Sequence, residues 1–248
     1  MSIAQIHFFS ESLKKEVGFN AILPDRQTKP GPYPVFYLLH GLSDDYTAWL
    51  RWTSIERYVR SLPLIVVMPD GDRRFYCDWV DGPQYEKALV GDLLGFVDRH
   101  FQTIPRAKGR AIGGLSMGGY GAVKLGLKYP DRFCSITAHS GVYALFRGKA
   151  VKDIEPHLRG IAATARLRDE NDPFWLAEQL DPKKAPAMWI DCGVDDGLLE
   201  HNRKLHKHLT KLGIAHEYHE FPGAHDWSYW DEHVQQAIAF HCRTLGIR

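Results

Sequence analysis

Short unbroken apolar runs recur along the chain at 35–39, 64–68, around Ala111 and Ile112, at 133–138 and at 187–190. Each is too short for a buried helix and suits a strand covered on both faces, as in a parallel sheet. Two earlier segments, 3–9 and 15–23, read as edge strands and are followed by a turn over 24–34 rich in Pro, Gly and charge. Between the runs lie helical patterns. Residues 85–101 carry Leu89, Leu93, Phe96, Val97 and Phe101 on one face. Residues 117–129 follow a glycine cluster and stop before Pro130, and 200–212 stop at Gly213, a C-terminal cap. Shorter 53–60 and the closing 230–245 complete the set, and 215–220 reads as a last strand. The alternation predicts one α/β domain over 1–248: a mostly parallel sheet of about eight strands flanked by helices, with an antiparallel N-terminal edge.

One stretch breaks the rhythm. Residues 143–186 are rich in Arg, Lys, Asp and Glu and separate two core strands. Within them Asp172 can cap a helix that Pro173 starts. A segment of this length inside a compact domain is expected to be a lid or an excursion beside a site.

Composition narrows the function classes. Of 248 residues, 44% are hydrophobic and 25% charged, which argues for a folded globular chain and against disorder. Lys plus Arg is 31 and Asp plus Glu is 30, so no general field draws nucleic acid or an anionic membrane. Neither partner is expected. No apolar run approaches a membrane span, and residues 1–10 lack the basic flank and apolar core of a signal peptide. A cytoplasmic chain is expected. Cys77, Cys134, Cys192 and Cys242 are scattered without a CxxC pair, so reduced core thiols are expected, with no metal cluster.

The chemistry centres on Gly114-Leu115-Ser116-Met117-Gly118, a G-x-S-x-G placed after a strand and opening a helix. A sharp strand-to-helix turn lifts the Ser116 hydroxyl above the sheet, and the helix N-terminus behind it favours negative charge. Serine needs a base. His225, in the loop before the last helix, can swing over the strand ends; His139 is its main rival. His201, His206 and His208 fall on one helix and read as surface groups, while His216 and His219 point to opposite faces of a strand. His40 reads as a hydrogen-bonded structural histidine. None of the histidines has a metal-binding spacing. The base needs an acid to orient it. Asp191 belongs to the strand, whereas Asp195 and Asp196 both lie in the loop at its end, and spacing does not separate them. An oxyanion hole would combine the Met117 N–H with the Leu42 N–H, which Gly41 allows to turn inward.

Together these residues resemble the esterase D family of α/β-hydrolases over nearly the whole chain. The likeness rests on Leu39-His40-Gly41-Leu42 with Trp49, Val67-Met68-Pro69-Asp70-Gly71, and Tyr76 to Trp79. It rests equally on Gly114 to Gly119, Cys192 to Asp196 with Asn202, and Gly223 to Trp227 with Trp230. The resemblance implies the α/β-hydrolase fold, a Ser116–His225–Asp196 triad, and Leu42 and Met117 as oxyanion donors. It implies a serine carboxylesterase acting on small-molecule esters through an acyl-enzyme, with no cofactor and no metal. Small tributyrin-type esterases are the nearest in pattern. The family's S-formylglutathione hydrolases usually carry Gln where this chain has Cys192, and mycolyltransferases are secreted. Short acyl esters therefore stand ahead of thioesters and of feruloyl or acetyl-xylan esters. A pocket at the strand ends is expected to use Tyr46, Trp79, Tyr143 and Trp227, with Phe146 and Trp175 available. A dead triad in a binding protein on the same fold is the reading from outside the enzyme class. Oligomeric state stays open, a homodimer included.

Overall fold

The computed structural model describes residues 1–24, 30–146 and 156–247. Eight strands form one sheet: β1 (Ser2–Ser10), β2 (Lys15–Leu23), β3 (Val35–Leu39), β4 (Ile65–Pro69), β5 (Arg110–Leu115), β6 (Ser135–His139), β7 (Ala187–Gly193) and β8 (Glu217–Phe221). Their spatial order is β1-β2-β4-β3-β5-β6-β7-β8. β1 pairs antiparallel with β2, and β2 antiparallel with β4; every later pair is parallel. The antiparallel N-terminal edge and the parallel centre are those expected from the apolar runs.

Burial explains the pattern. All five residues of β3 are buried, and they divide by parity. Val35, Tyr37 and Leu39 join the core on one face, while Phe36 and Leu38 join the core on the other. Full burial of such a side chain contributes roughly 1.5–3 kcal/mol relative to exposure. At the edge the pattern changes: β1 exposes alternate residues, including Ile3 and Phe9.

On one face pack α1 (Ala48–Trp52), α2 (Ile55–Val59) and α9 (Trp227–Leu245). On the other lie α3 (Tyr85–Lys87), α4 (Leu94–His100), α5 (Met117–Lys128), α7 (Pro173–Gln179) and α8 (Leu199–Leu212). α6 (Ala165–Glu170) precedes α7. Three helix expectations change. The short helix expected at 53–60 is α2, and an unexpected α1 precedes it; the two are separate because Thr53 is extended and its hydroxyl donates to Trp49 O and accepts the Ile55 N–H. The 85–101 helix contains a wide π turn, Ala88–Leu93, in which Asp92 accepts from the Ser10 hydroxyl and the Ser12 N–H and so clamps the N-terminal hairpin. α9 starts three residues early, because the Asp226 carboxylate caps it by accepting from the Tyr229 N–H.

Within 143–186, residues 147–155 lie outside the described residues. In the remainder Asp172 caps α7 and Pro173 opens it, as the sequence suggests. The Asn171 carbonyl receives the Tyr120 hydroxyl, which fastens this segment to α5. Beneath it Lys124, wholly buried on α5, donates to Tyr76 O and to Glu86. Burial pushes the Glu86 carboxyl upward, but Lys124 and Lys128 outweigh it and hold it at about 2. That ion cluster ties α5 to the loop after β4. Among the described residues no helix is long and apolar enough to cross a membrane.

Candidate active site

Ser116 sits where β5 turns into α5, at φ 51° and ψ −112°. Such a backbone is costly for a non-glycine residue and persists only where its surroundings enforce it. Here they do. The Ser116 N–H donates to the His139 carbonyl at 2.9 Å, and the flanking glycines press on the end of β3. A Cβ on Gly114 would meet Leu39 O at 2.6 Å, and one on Gly118 would meet it at 2.4 Å. The G-x-S-x-G glycines are therefore a requirement of backbone approach.

The loop after β3 is pinned by residues scattered along the chain. Trp49 Nε1 donates to Leu39 O and the Tyr76 hydroxyl to His40 O. His40 Nε2 accepts the Gly71 N–H at 2.8 Å, and its Nδ1 faces Gly41 O at 2.7 Å. The structural reading of His40 thus holds. Among the described residues neither the Leu42 nor the Met117 N–H donates to another protein group. A Cβ on Gly41 would lie 4.0 Å from Ser116 Cβ, so the loop after β3 runs beside the serine.

His225 reaches across from the loop after β8. Its Nε2 lies 3.1 Å from Ser116 Oγ and its Nδ1 2.8 Å from Asp196 Oδ2. The Asp196 side chain is fully buried; that of His225 is 35% exposed. Burial drives the Asp196 carboxyl up, but hydrogen bonds from His225, Ser140 and the Leu198 N–H prevail and hold it below the usual carboxylate range. Asp195, left equivalent by spacing, is exposed and engages Gly223 through its backbone. Asp191 lies inside β7, as expected. The rival His139 is buried, its ring on Asp191, and only its backbone touches Ser116.

The three histidines of α8 differ from expectation. His201, His206 and His208 are half-buried because α8 packs against α7 and β7. His201 accepts the Ala144 N–H, His206 pairs with His216 and stacks on Tyr218, and His208 meets Phe174 O. His216 and His219 do face opposite sides: His219 stacks on Trp189.

The aromatic expectations divide. Trp227 packs edge-on against Trp49 and Trp230, and Trp230 in turn against His225, so Trp227 stands one ring behind the imidazole. Tyr143 and Phe146 are core residues, buried to 1% and 4% exposure. Apolar ring area draws them under the sheet ends, where Tyr143 lies against Gly141. Tyr46 packs on the hairpin, near Gly18 and bonded to Gln5. Trp79 and Trp175 line a groove of about 680 Å³ with Glu86, Lys128 and Tyr129, at the far end of α5 from Ser116. Tyr46, Trp79 and Trp175 are thus not brought to the serine by any of these contacts. Sequence reasoning missed Ser140, whose hydroxyl reaches Asp196. Its one signal is its position directly after the end of a core strand. Trp230 is visible beforehand only through family likeness.

Sheet order, strand-to-helix serine and histidine loop define an α/β-hydrolase. The Esterase family model matches residues 10–241. An acetyl esterase of Caldicellulosiruptor saccharolyticus is 32% identical, over 96% of this chain and 97% of that one. Among solved structures, the Staphylococcus aureus fluorophosphonate-binding serine hydrolase FphF is 27% identical, with TM-score 0.85 over 97% of this chain and 98% of that one. The S. aureus S-formylglutathione hydrolase FrmB is 27% identical, with TM-score 0.83 over the same shares. The chain belongs to the Esterase family, of the esterase D type, and is a carboxylic ester hydrolase.

Proposed function

We propose that the protein hydrolyses short-chain acyl esters through Ser116, His225 and Asp196. The observation that carries this reading is the continuous contact from Asp196 Oδ2 through both imidazole nitrogens to Ser116 Oγ. Ser116 Oγ attacks the acyl carbonyl carbon as its proton passes to His225 Nε2. Asp196 accepts from Nδ1–H, fixes the ring and stabilises its cation. The Leu42 and Met117 N–H groups receive the developing oxyanion, each worth about a hundred- to a thousandfold in rate. Collapse breaks the bond to the alcohol oxygen, which takes the proton from Nε2. Water, deprotonated by the same nitrogen, then cleaves the acyl-enzyme.

The acetyl esterase relative supports a small acyl group. A p-nitrophenyl ester series from acetyl to decanoyl, run with wild type and Ser116→Ala, tests the reading. Turnover highest at short chains and abolished in the variant is expected; equal turnover in both removes Ser116 from its role. The FrmB likeness favours one second reading, a thioesterase on S-formylglutathione. Faster turnover of that thioester than of an acetyl ester of matched reactivity would put it first.

A further inference from the structure

Ser140 follows β6 and is wholly buried. Its φ is 53°, a left-handed conformation that serine adopts at a cost. Three contacts maintain it. Its N–H donates to the Asp191 carbonyl at 2.8 Å. Its Oγ accepts the Trp230 indole N–H at 3.3 Å, and the same hydroxyl serves both the Asp196 carboxylate and the Cys192 thiol. Next along the chain, Gly141 is held through both its N–H and its carbonyl by the Asn202 amide, which also donates to Leu198 O. The β6 end is thereby tied to the loop that carries Asp196.

Trp230 closes the arrangement from the other side. Its ring stands edge-on to the His225 imidazole, centroids 4.9 Å apart at 89°. One indole thus touches the base directly and reaches the acid through a single hydroxyl. We infer that Ser140 and Trp230 are positioning residues that hold the Asp196–His225 pair in register with Ser116. The inference rests on the function proposed above.

The groups around the pair are the Cys192 thiol and Asp191 on β7, Tyr229 and Trp230 on α9, and His225 on its loop. Burial pushes both the Cys192 thiol and the Tyr229 phenol up, so neither titrates between pH 5 and pH 9. Without the Ser140 hydroxyl, the Asp196 charge is less shared and favours the imidazolium more strongly. The acid limb of the rate profile then moves to higher pH.

The decisive variant is Ser140→Gly, because glycine accepts the left-handed backbone while removing the hydroxyl. Trp230→Phe keeps the ring and removes the indole N–H. With p-nitrophenyl acetate, and sites counted by a fluorophosphonate probe, Ser140→Gly is expected to lower kcat per labelled site about tenfold. KM should stay within about twofold, and the acid limb should rise by about half a pH unit. Trp230→Phe should move both readouts the same way and less far. Unchanged kcat per labelled site and an unmoved limb in both variants would overturn the inference, even if fewer sites were labelled. A wild-type protein left unlabelled would instead remove the triad reading, and the inference with it.

Discussion

Two histidine–aspartate pairs lie beside the same strand, and only one faces a serine hydroxyl. His225 meets Asp196 at 2.8 Å, and His139 meets Asp191 at the same distance. The pairs differ at their far nitrogens. His225 Nε2 reaches Ser116 Oγ and its side chain is 35% exposed; His139 Nε2 is buried with no hydrogen-bond partner among the described residues. Their carboxylates differ as well. Asp191 also receives the Trp189 indole and the Tyr229 hydroxyl, so it joins β7 to α9. Asp196 spends its remaining capacity on the Leu198 N–H and Ser140, which orient it towards one ring. Under the proposed function, a dyad at the right distance therefore does not define a reactive centre. Access and a properly placed hydroxyl do, and the inner pair serves as a buried strut.

The largest test of this contrast is Ser116→Ala, expected to reduce kcat on p-nitrophenyl acetate by about 10⁴- to 10⁶-fold with little change in thermal midpoint. Residual turnover near wild type would leave both pairs without a nucleophile. Next come matched substitutions of the two acids. Asp196→Asn should lower kcat about 10⁴-fold, since the imidazole loses the acceptor that fixes its tautomer. Asp191→Asn should leave kcat per folded molecule within about threefold of wild type. It should nevertheless depress the melting temperature on the order of 10 °C, because it breaks a buried hydrogen-bonded ion site. Equal kinetic losses in the two variants would abolish the distinction between strut and centre.

Much of this was legible in the chain. Unbroken apolar runs located the central strands because both faces of β3 to β6 are buried, and Gly114 and Gly118 marked the elbow because no Cβ fits there. Asp195 and Asp196 were inseparable by spacing, since the choice depends on which carboxylate the loop turns inward. The placement of the aromatics was not legible for a related reason. Apolar rings near a strand end fill core or groove alike, and Tyr143 and Tyr46 pack elsewhere through contacts across the chain. Ser140 was hidden because a small polar residue after a strand has many roles, and its role here depends on Trp230, far away in sequence.

The smallest effect lies in the acid limb of kcat/KM, and it concerns slope. The outer pair can take up two protons, one on the imidazole and one on Asp196. Burial raises the Asp196 carboxyl, but His225, Ser140 and the Leu198 N–H bring it below the usual range near 3.9. A carboxyl depressed on folding contributes stability above its unfolded value, and loses it only as pH falls through the lower folded value. From about pH 7 to about pH 5 the carboxylate therefore stays ionised and its contribution to folding stays intact. The limb should fall with a slope of one in log kcat/KM against pH, while the melting temperature changes little over the same window. A slope of two at constant melting temperature would show Asp196 titrating with its partner. The hydrogen bonds that distinguish the outer carboxylate would then be too weak to outweigh its burial.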